Sequence, residues 1–227
     1  MIYNKRVQAK PALSCKVKFL NTRPESFQVT RKVESAALVL AGGTGRRMGA
    51  SKPFMPWHGS VLIERVVERL VPVFPSVYIV ASEDASFVSL GLPVIRDVEP
   101  GRGPLMGLYS GLLASGADWC FLVGCDMPLL SAEVIREMAK SRGDADVVAA
   151  RVKGRVQFLH AFYSRRCIPV IDDLLKHGKT SLWDVVTQCS ATILPERRFS
   201  KLDPGLLSFT DVDTPEELAR LTSEATA

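Results

Sequence analysis

The chain has 227 residues, 47% of them apolar and 23% charged. That is ample for a buried core and excludes a disordered chain. No apolar stretch approaches the roughly 18 residues needed to cross a bilayer, and the N-terminus lacks the blocks of a signal peptide, so a cytoplasmic protein that uses no membrane is expected. The net charge of +5 is unevenly spread: residues 1 to 34 hold eight Lys and Arg against Glu25 and Glu34, a net of +6, leaving 21 basic against 22 acidic residues, a net of −1, for the rest.

Two parts are therefore expected: a basic, poorly ordered arm over residues 1–34 and one domain over 35–227. The arm's charge alone leaves a nucleic-acid or anionic-surface role open, but the neutral body speaks against nucleic acid as the substrate. Cys15, Cys120, Cys125, Cys167 and Cys189 are scattered, with no CxxC pair, and read as reduced thiols. His58, His160 and His177 lack partners at metal-ligand spacing.

In chain order, the apolar run Ala36 to Ala41 predicts a buried strand feeding a glycine-rich loop. Ser60 predicts an N-cap for a helix carrying Leu62, Ile63, Val66, Val67 and Leu70. Strands are predicted at Val77 to Ala81 and Pro93 to Ile95, and Pro104 opens a helix through Leu105, Leu108, Leu112 and Leu113. A strand at Trp119 to Val123, a helix capped by Ser131 and a strand at Ala145 to Ala150 continue the alternation. Such alternation predicts an α/β fold of three layers, a mostly parallel twisted sheet flanked by helices, Rossmann-like in character. A hairpin at Val156 to Tyr163, a helix from Arg165 to His177, a helix capped by Ser181 and a final helix capped at Thr214 complete the prediction.

The chemistry concentrates after the first strand, in Leu40-Ala41-Gly42-Gly43-Thr44-Gly45-Arg46-Arg47-Met48-Gly49-Ala50-Ser51-Lys52. Glycines let backbone N–H groups approach phosphate oxygens, and Arg46, Arg47 and Lys52 add positive charge, so the segment reads as a triphosphate cradle. Its spacing matches neither a Walker A motif nor a dinucleotide fingerprint. Asp126, past the end of a predicted parallel strand, stands where such sheets bind ligands and suits magnesium, which takes carboxylate and phosphate oxygens. Asp97 is a second candidate, although Arg96 and Arg102 offer it structural pairing.

These segments resemble the nucleoside-triphosphate transferases, and specifically the molybdenum cofactor guanylyltransferases, over residues 36 to 221. The cradle follows the pattern L-A-G-G-x-x-x-R-M-G-x-x-K. Gly103-Pro104-Leu105-Met106-Gly107 matches a second family loop with Asp97 as its preceding aspartate, and Cys125-Asp126-Met127-Pro128 matches a third. The resemblance implies transfer of GMP from GTP to the terminal phosphate of molybdopterin, releasing pyrophosphate, with transient contact to molybdoenzymes or their chaperones. It implies Lys52, Arg47 and Asp126 as the catalytic residues. Leu40, Ala41, Gly42, Gly43, Lys52, Asp97 and Asp126 would hold the nucleotide, and Asp126 with Asp213 would hold Mg2+. Two departures stand out. Asp211-Val212-Asp213-Thr214-Pro215 replaces the family's Asn-x-Asn-Thr-Pro, so that Asp213 is either a second metal ligand or part of a helix cap, and Gln157-Phe158-Leu159-His160 replaces a more usual His-Pro. The aspartates also resemble the sibling cytidylyltransferases, which keeps CTP as an alternative, and a non-catalytic GTP-binding regulator is the reading from another class.

Overall fold

The computed structural model describes residues 32–42, 52–82, 87, 90–212 and 217. The chain divides into two compact units, Met1–Thr30 and Arg31–Ala227. The first lies outside the described residues, and the second carries the sheet and its helices.

The expected α/β architecture is present. A seven-stranded sheet has the order β5-β4-β1-β6-β8-β7-β9, built from β1 (Ala36–Leu40), β4 (Ser76–Ala81), β5 (Val94–Arg96), β6 (Trp119–Gly124), β7 (Val147–Val152), β8 (Arg155–Ser164) and β9 (Ala191–Pro195). Strands β5, β4, β1 and β6 run parallel, β7 and β9 are parallel to each other, and β8 is antiparallel to both its neighbours. The reversal follows from a two-residue turn: Lys153 (φ 49°) and Gly154 (φ 78°) are both left-handed, the geometry of a tight hairpin.

Helices cover both faces. Helices α1 (Leu62–Leu70) and α3 (Ala132–Ala139) bury Ile63, Val66, Val134 and Met138 on one face, together with Ala37 and Val39 of β1. Helices α2 (Gly103–Ser115), α4 (Ile168–Lys176) and α5 (Leu182–Gln188) bury Leu105, Leu108, Ile171 and Val185 on the other, with Ala36 and Leu38. A strand sandwiched in this way must be apolar at every position, which is why β1 reads as an unbroken run. The crossing of α2 over β1 is close: a Cβ on Gly111 would run into the Leu38 side chain.

Ser131 and Ser181 cap their helices as expected, accepting from Val134 N–H at 3.3 Å and Trp183 N–H at 3.2 Å. Ser60 does not. It belongs to a two-residue strand, β3 (Ser60–Val61), paired with β2 (Pro56–Trp57), and Val61 is the N-cap of α1. Its hydroxyl donates instead to Glu64 Oε2 at 2.5 Å, so the side chain meets the first turn through a carboxylate rather than a backbone amide. The predicted strand at Ala145 to Ala150 begins later, at Val147, because Asp146 is tied by its amide to Ser190 O at 2.7 Å. The final helix from Thr214 lies, apart from Glu217, outside the described residues.

Candidate active site

The chain leaves β1 for β4 and β5 on one side and later crosses to β6 on the other. The direction of strand addition therefore reverses between β1 and β6, and the loops past their C-terminal ends flank the crevice in which open α/β sheets bind ligands. The first of these loops begins with Ala41 and Gly42, the start of the glycine-rich segment, and the second carries Asp126.

Asp126 follows β6 by two residues, with Cys125 N–H donating to Leu40 O at 3.1 Å across the switch point. Its carboxylate folds back under Gly124, where a Cβ would collide with Oδ1. Gly124 is thus a site residue that motif reading missed, because nothing in its one-letter context reports the fold-back of a neighbour two positions on. Lys52 opens a short 3-10 turn (Lys52–Phe54), and its Nζ donates to Asp126 Oδ2 at 2.6 Å, with both side chains about one-fifth exposed. Residues 74 positions apart in sequence are brought into one ion pair at the mouth of the crevice. The neighbouring Cys125 is buried, which pushes its thiol up to about 12 and leaves it inert.

On the other side of β1, Asp97 follows β5, and its N–H reaches Ala81 O at 3.2 Å. Ser110 Oγ accepts from the Val98 amide at 2.9 Å while donating to Met106 O, which ties the Asp97 segment to α2. Burial raises the Asp97 carboxyl pKa, and Oδ1 is buried without a hydrogen-bond partner among the described residues. Arg102, a structural partner that sequence proximity offers to Asp97, pairs instead with Glu99 at 2.7 Å and with Leu175 O. Gly42 and Gly107 face this carboxylate: a Cβ on either would stand 3.8 Å and 3.7 Å from its oxygens, and a Cβ on Gly107 would also press on Leu40 at 2.8 Å.

Of the expected site residues, Leu40, Ala41, Gly42 and Asp97 thus gather on one flank, and Lys52 with Asp126 on the other. Gly43, Arg46, Arg47 and Asp213 lie outside the described residues. Val212 N–H donates to Asp126 O at 2.9 Å, so the Asp211-Val212 segment ends against the Asp126 backbone. Among the described residues no group of three or more metal-ligating side chains gathers. The donor chemistry nevertheless fits magnesium: a partly exposed carboxylate already paired with a cation, of the kind that binds magnesium together with substrate phosphates. A surface depression at the opposite strand ends offers no comparable chemistry. Its Arg142 is engaged by Glu34 O, Ser35 Oγ and Ala139 O and stacks on Trp119 and Phe162.

Comparison with known proteins agrees with this geometry. Residues 37–192 match the model of the MobA-like NTP transferase domain. The chain is 32% identical over 185 residues to a molybdenum cofactor guanylyltransferase of Desulfosudis oleivorans, covering 81% of this chain and 92% of that protein. It is 32% identical over 186 residues to a probable molybdenum cofactor guanylyltransferase of Carboxydothermus hydrogenoformans, with coverage of 81% and 92%. Among solved structures, the molybdopterin-guanine dinucleotide biosynthesis protein A of Archaeoglobus fulgidus superposes with a TM-score of 0.74 at 23% identity, over 84% of this chain and 98% of that one. The glycine-rich segment past β1, the carboxylate past β6 and these matches along most of the chain lead to one conclusion: the protein belongs to the MobA-like NTP transferase family and is an enzyme of the nucleotidyltransferase type.

Proposed function

We propose that the enzyme transfers GMP from GTP to the terminal phosphate of molybdopterin, releasing pyrophosphate. The observation that carries this reading is the Lys52–Asp126 pair at the switch point, in a chain about one-third identical to relatives named for that activity. The attacking group is a phosphate of the acceptor, so no protein nucleophile is required, and catalysis reduces to positioning and charge stabilisation.

Each residue has a role in that scheme. Gly42 and Gly43 present amides to the triphosphate, and Leu40 and Ala41 border the base. Asp97, with its unpartnered oxygen, accepts from an N–H or O–H of the nucleoside. Asp126, joined by Asp213, would hold Mg2+, and the bound ion would supply positive charge to the phosphate oxygens. Lys52 turns from Asp126 to the departing pyrophosphate, and Arg47 offsets charge on the same group. Nucleotide and acceptor are small cytoplasmic molecules, in keeping with free thiols at Cys120, Cys125, Cys167 and Cys189. Molybdoenzymes that receive the finished cofactor are the transient protein partners of this reading.

The test is pyrophosphate release from GTP with magnesium and molybdopterin. Wild type turns over, and Asp126→Ala loses more than about a hundredfold, the scale for deleting one preorganised electrostatic element. A folded Asp126→Ala protein within a few-fold of wild type removes Asp126 from the metal site.

A further inference from the structure

The acceptor half of the crevice carries a feature that the phosphate chemistry does not use. In the β7–β8 hairpin, Ala149 pairs with Ala161, yet the next residue, Ala150, pairs with Gln157. Phe158, Leu159 and His160 are therefore extra residues on β8, and they bulge at the level where β6 ends, since His160 lies opposite Val123. Bulges re-aim side chains and recur beside active sites.

This one is pinned from both faces. The fully buried Tyr163 donates its hydroxyl to Phe158 O at 3.0 Å, and the buried His160 meets Ser208 Oγ at 2.9 Å. The half-buried Phe158 ring packs edge-on against Trp183, with centroids 5.8 Å apart and an interplanar angle of 73°. Trp183 is 51% exposed, an unusual state for the largest apolar side chain.

Topology fixes which end of the sheet this pair occupies. Helix α5 leads into β9, which runs with β7 and hence with β6, so the start of α5 stands at the C-terminal end of the parallel strands, the same end as Asp126. Thr180, three residues before Trp183, closes on Gly103 at the start of α2, where an added Cβ would stand 3.5 Å from its side chain. The pair therefore stands at the Asp126 end of the sheet on the β8 side, with β6 and β1 between it and the Asp97 flank.

The geometry points to Phe158 and Trp183 as a stacking platform for the planar, fused heteroaromatic ring of the phosphorylated acceptor. This inference rests on the proposed function, which supplies a pterin as that ring. With Trp183 51% exposed, the indole keeps surface for a ligand, and a T-shaped support of this kind holds the exposed ring in one orientation. The pinned bulge fixes that support in advance. Nucleoside flank, phosphate centre and ring platform then follow the sheet order from β5 to β8, as a dinucleotide product would need.

The test compares wild type, Trp183→Ala and Trp183→Phe by pyrophosphate release and by titration of tryptophan emission with a pterin monophosphate. Trp183 is exposed, so neither change opens the core. The platform predicts that Trp183→Ala raises the acceptor KM by about tenfold or more, the scale of one lost ring stack, while the KM for GTP stays within twofold and Trp183→Phe restores most of the loss. Wild type that turns over with molybdopterin while Trp183→Ala leaves the acceptor KM unchanged overturns the platform and leaves the proposed function intact. Wild type that never turns over with molybdopterin sinks the proposed function instead. The platform then stands if the pterin monophosphate saturably quenches an emission component missing from Trp183→Phe, and falls if it does not.

Discussion

Asp126 and Asp97 are two carboxylates on either side of β1 with opposite circumstances. Asp126 has a cation at 2.6 Å, whereas Asp97 is half-buried with one oxygen lacking a partner. Burial raises the Asp97 pKa above its unfolded value, so its contribution to stability is fully present below the usual carboxylate range and is lost as pH rises through the raised value. At neutral pH the charged, underpartnered group opposes folding. Asp97→Asn should therefore raise the melting temperature at pH 7, with the gain shrinking as pH falls toward 4, and should weaken nucleotide binding. A melting temperature lowered at pH 7 would show that the carboxylate has a stabilising partner. Both aspartates and Lys52 were legible in the sequence, because each sits in a motif with glycines and prolines around it. Gly124 was not, since its importance comes from the path of the Asp126 side chain, and the pairing of Arg102 with Glu99 rather than Asp97 is a choice among neighbours that spacing leaves open.

At the scale of elements, periodicity reported most strands and helices, because each is apolar on the faces it buries. It did not report β9, whose alternation is blurred by Thr192 and Pro195 at a sheet edge, nor the three-residue bulge of β8, which changes pairing without changing composition. The bulge also houses His160, which packs against Phe121 and Phe209 with centroids at 5.0 Å and 4.4 Å. Burial lowers its pKa to about 3, so the imidazole folds neutral. The stability this provides is present above the unfolded value near 6.5 and is lost as pH falls toward 3. Wild type should lose about 1.6 kcal/mol from this residue alone between pH 6.5 and 5, the slope approaching about 1.4 kcal/mol per pH unit well below the unfolded pKa. Denaturant unfolding at the two pH values measures it: His160→Gln, less stable at neutral pH, should show a smaller acid-induced drop than wild type. An equal drop in both proteins would place the proton uptake elsewhere.

At the scale of the molecule, the sheet order puts the glycine-rich loop and Asp126 at one switch point, and the resemblance of the two motifs to known transferases makes that arrangement readable from the residues alone. The extent of the basic arm is a matter of contacts rather than charge. Val33 is buried, its N–H donates to Val73 O at 2.8 Å, and Glu34 O accepts from Arg142 at 2.8 Å. We propose that a chain beginning at Arg31 keeps nucleotide binding and turnover while losing most of the positive surplus, as read by titration calorimetry and isoelectric focusing. Insolubility or loss of binding would assign the arm a structural role in the domain.

The choice of nucleobase is the central claim, because Asp211 and Asp213 echo the cytidylyl siblings while the cradle and the Gly103 to Gly107 loop echo the guanylyl enzymes. Asp211 adjoins Val212, whose N–H donates to Asp126 O, and so belongs to the flank of Asp126, whereas the proposed base position is across β1 near Leu40 and Asp97. A site whose buried polar groups pair with one base edge leaves them unpaired with another, which can discriminate by about 10⁴-fold. Pyrophosphate release measured with magnesium, molybdopterin and each of the four nucleoside triphosphates in turn tests this directly. Turnover with GTP and none approaching it with ATP, UTP or CTP is the expected result; CTP matching or exceeding GTP would contradict the guanylyl assignment.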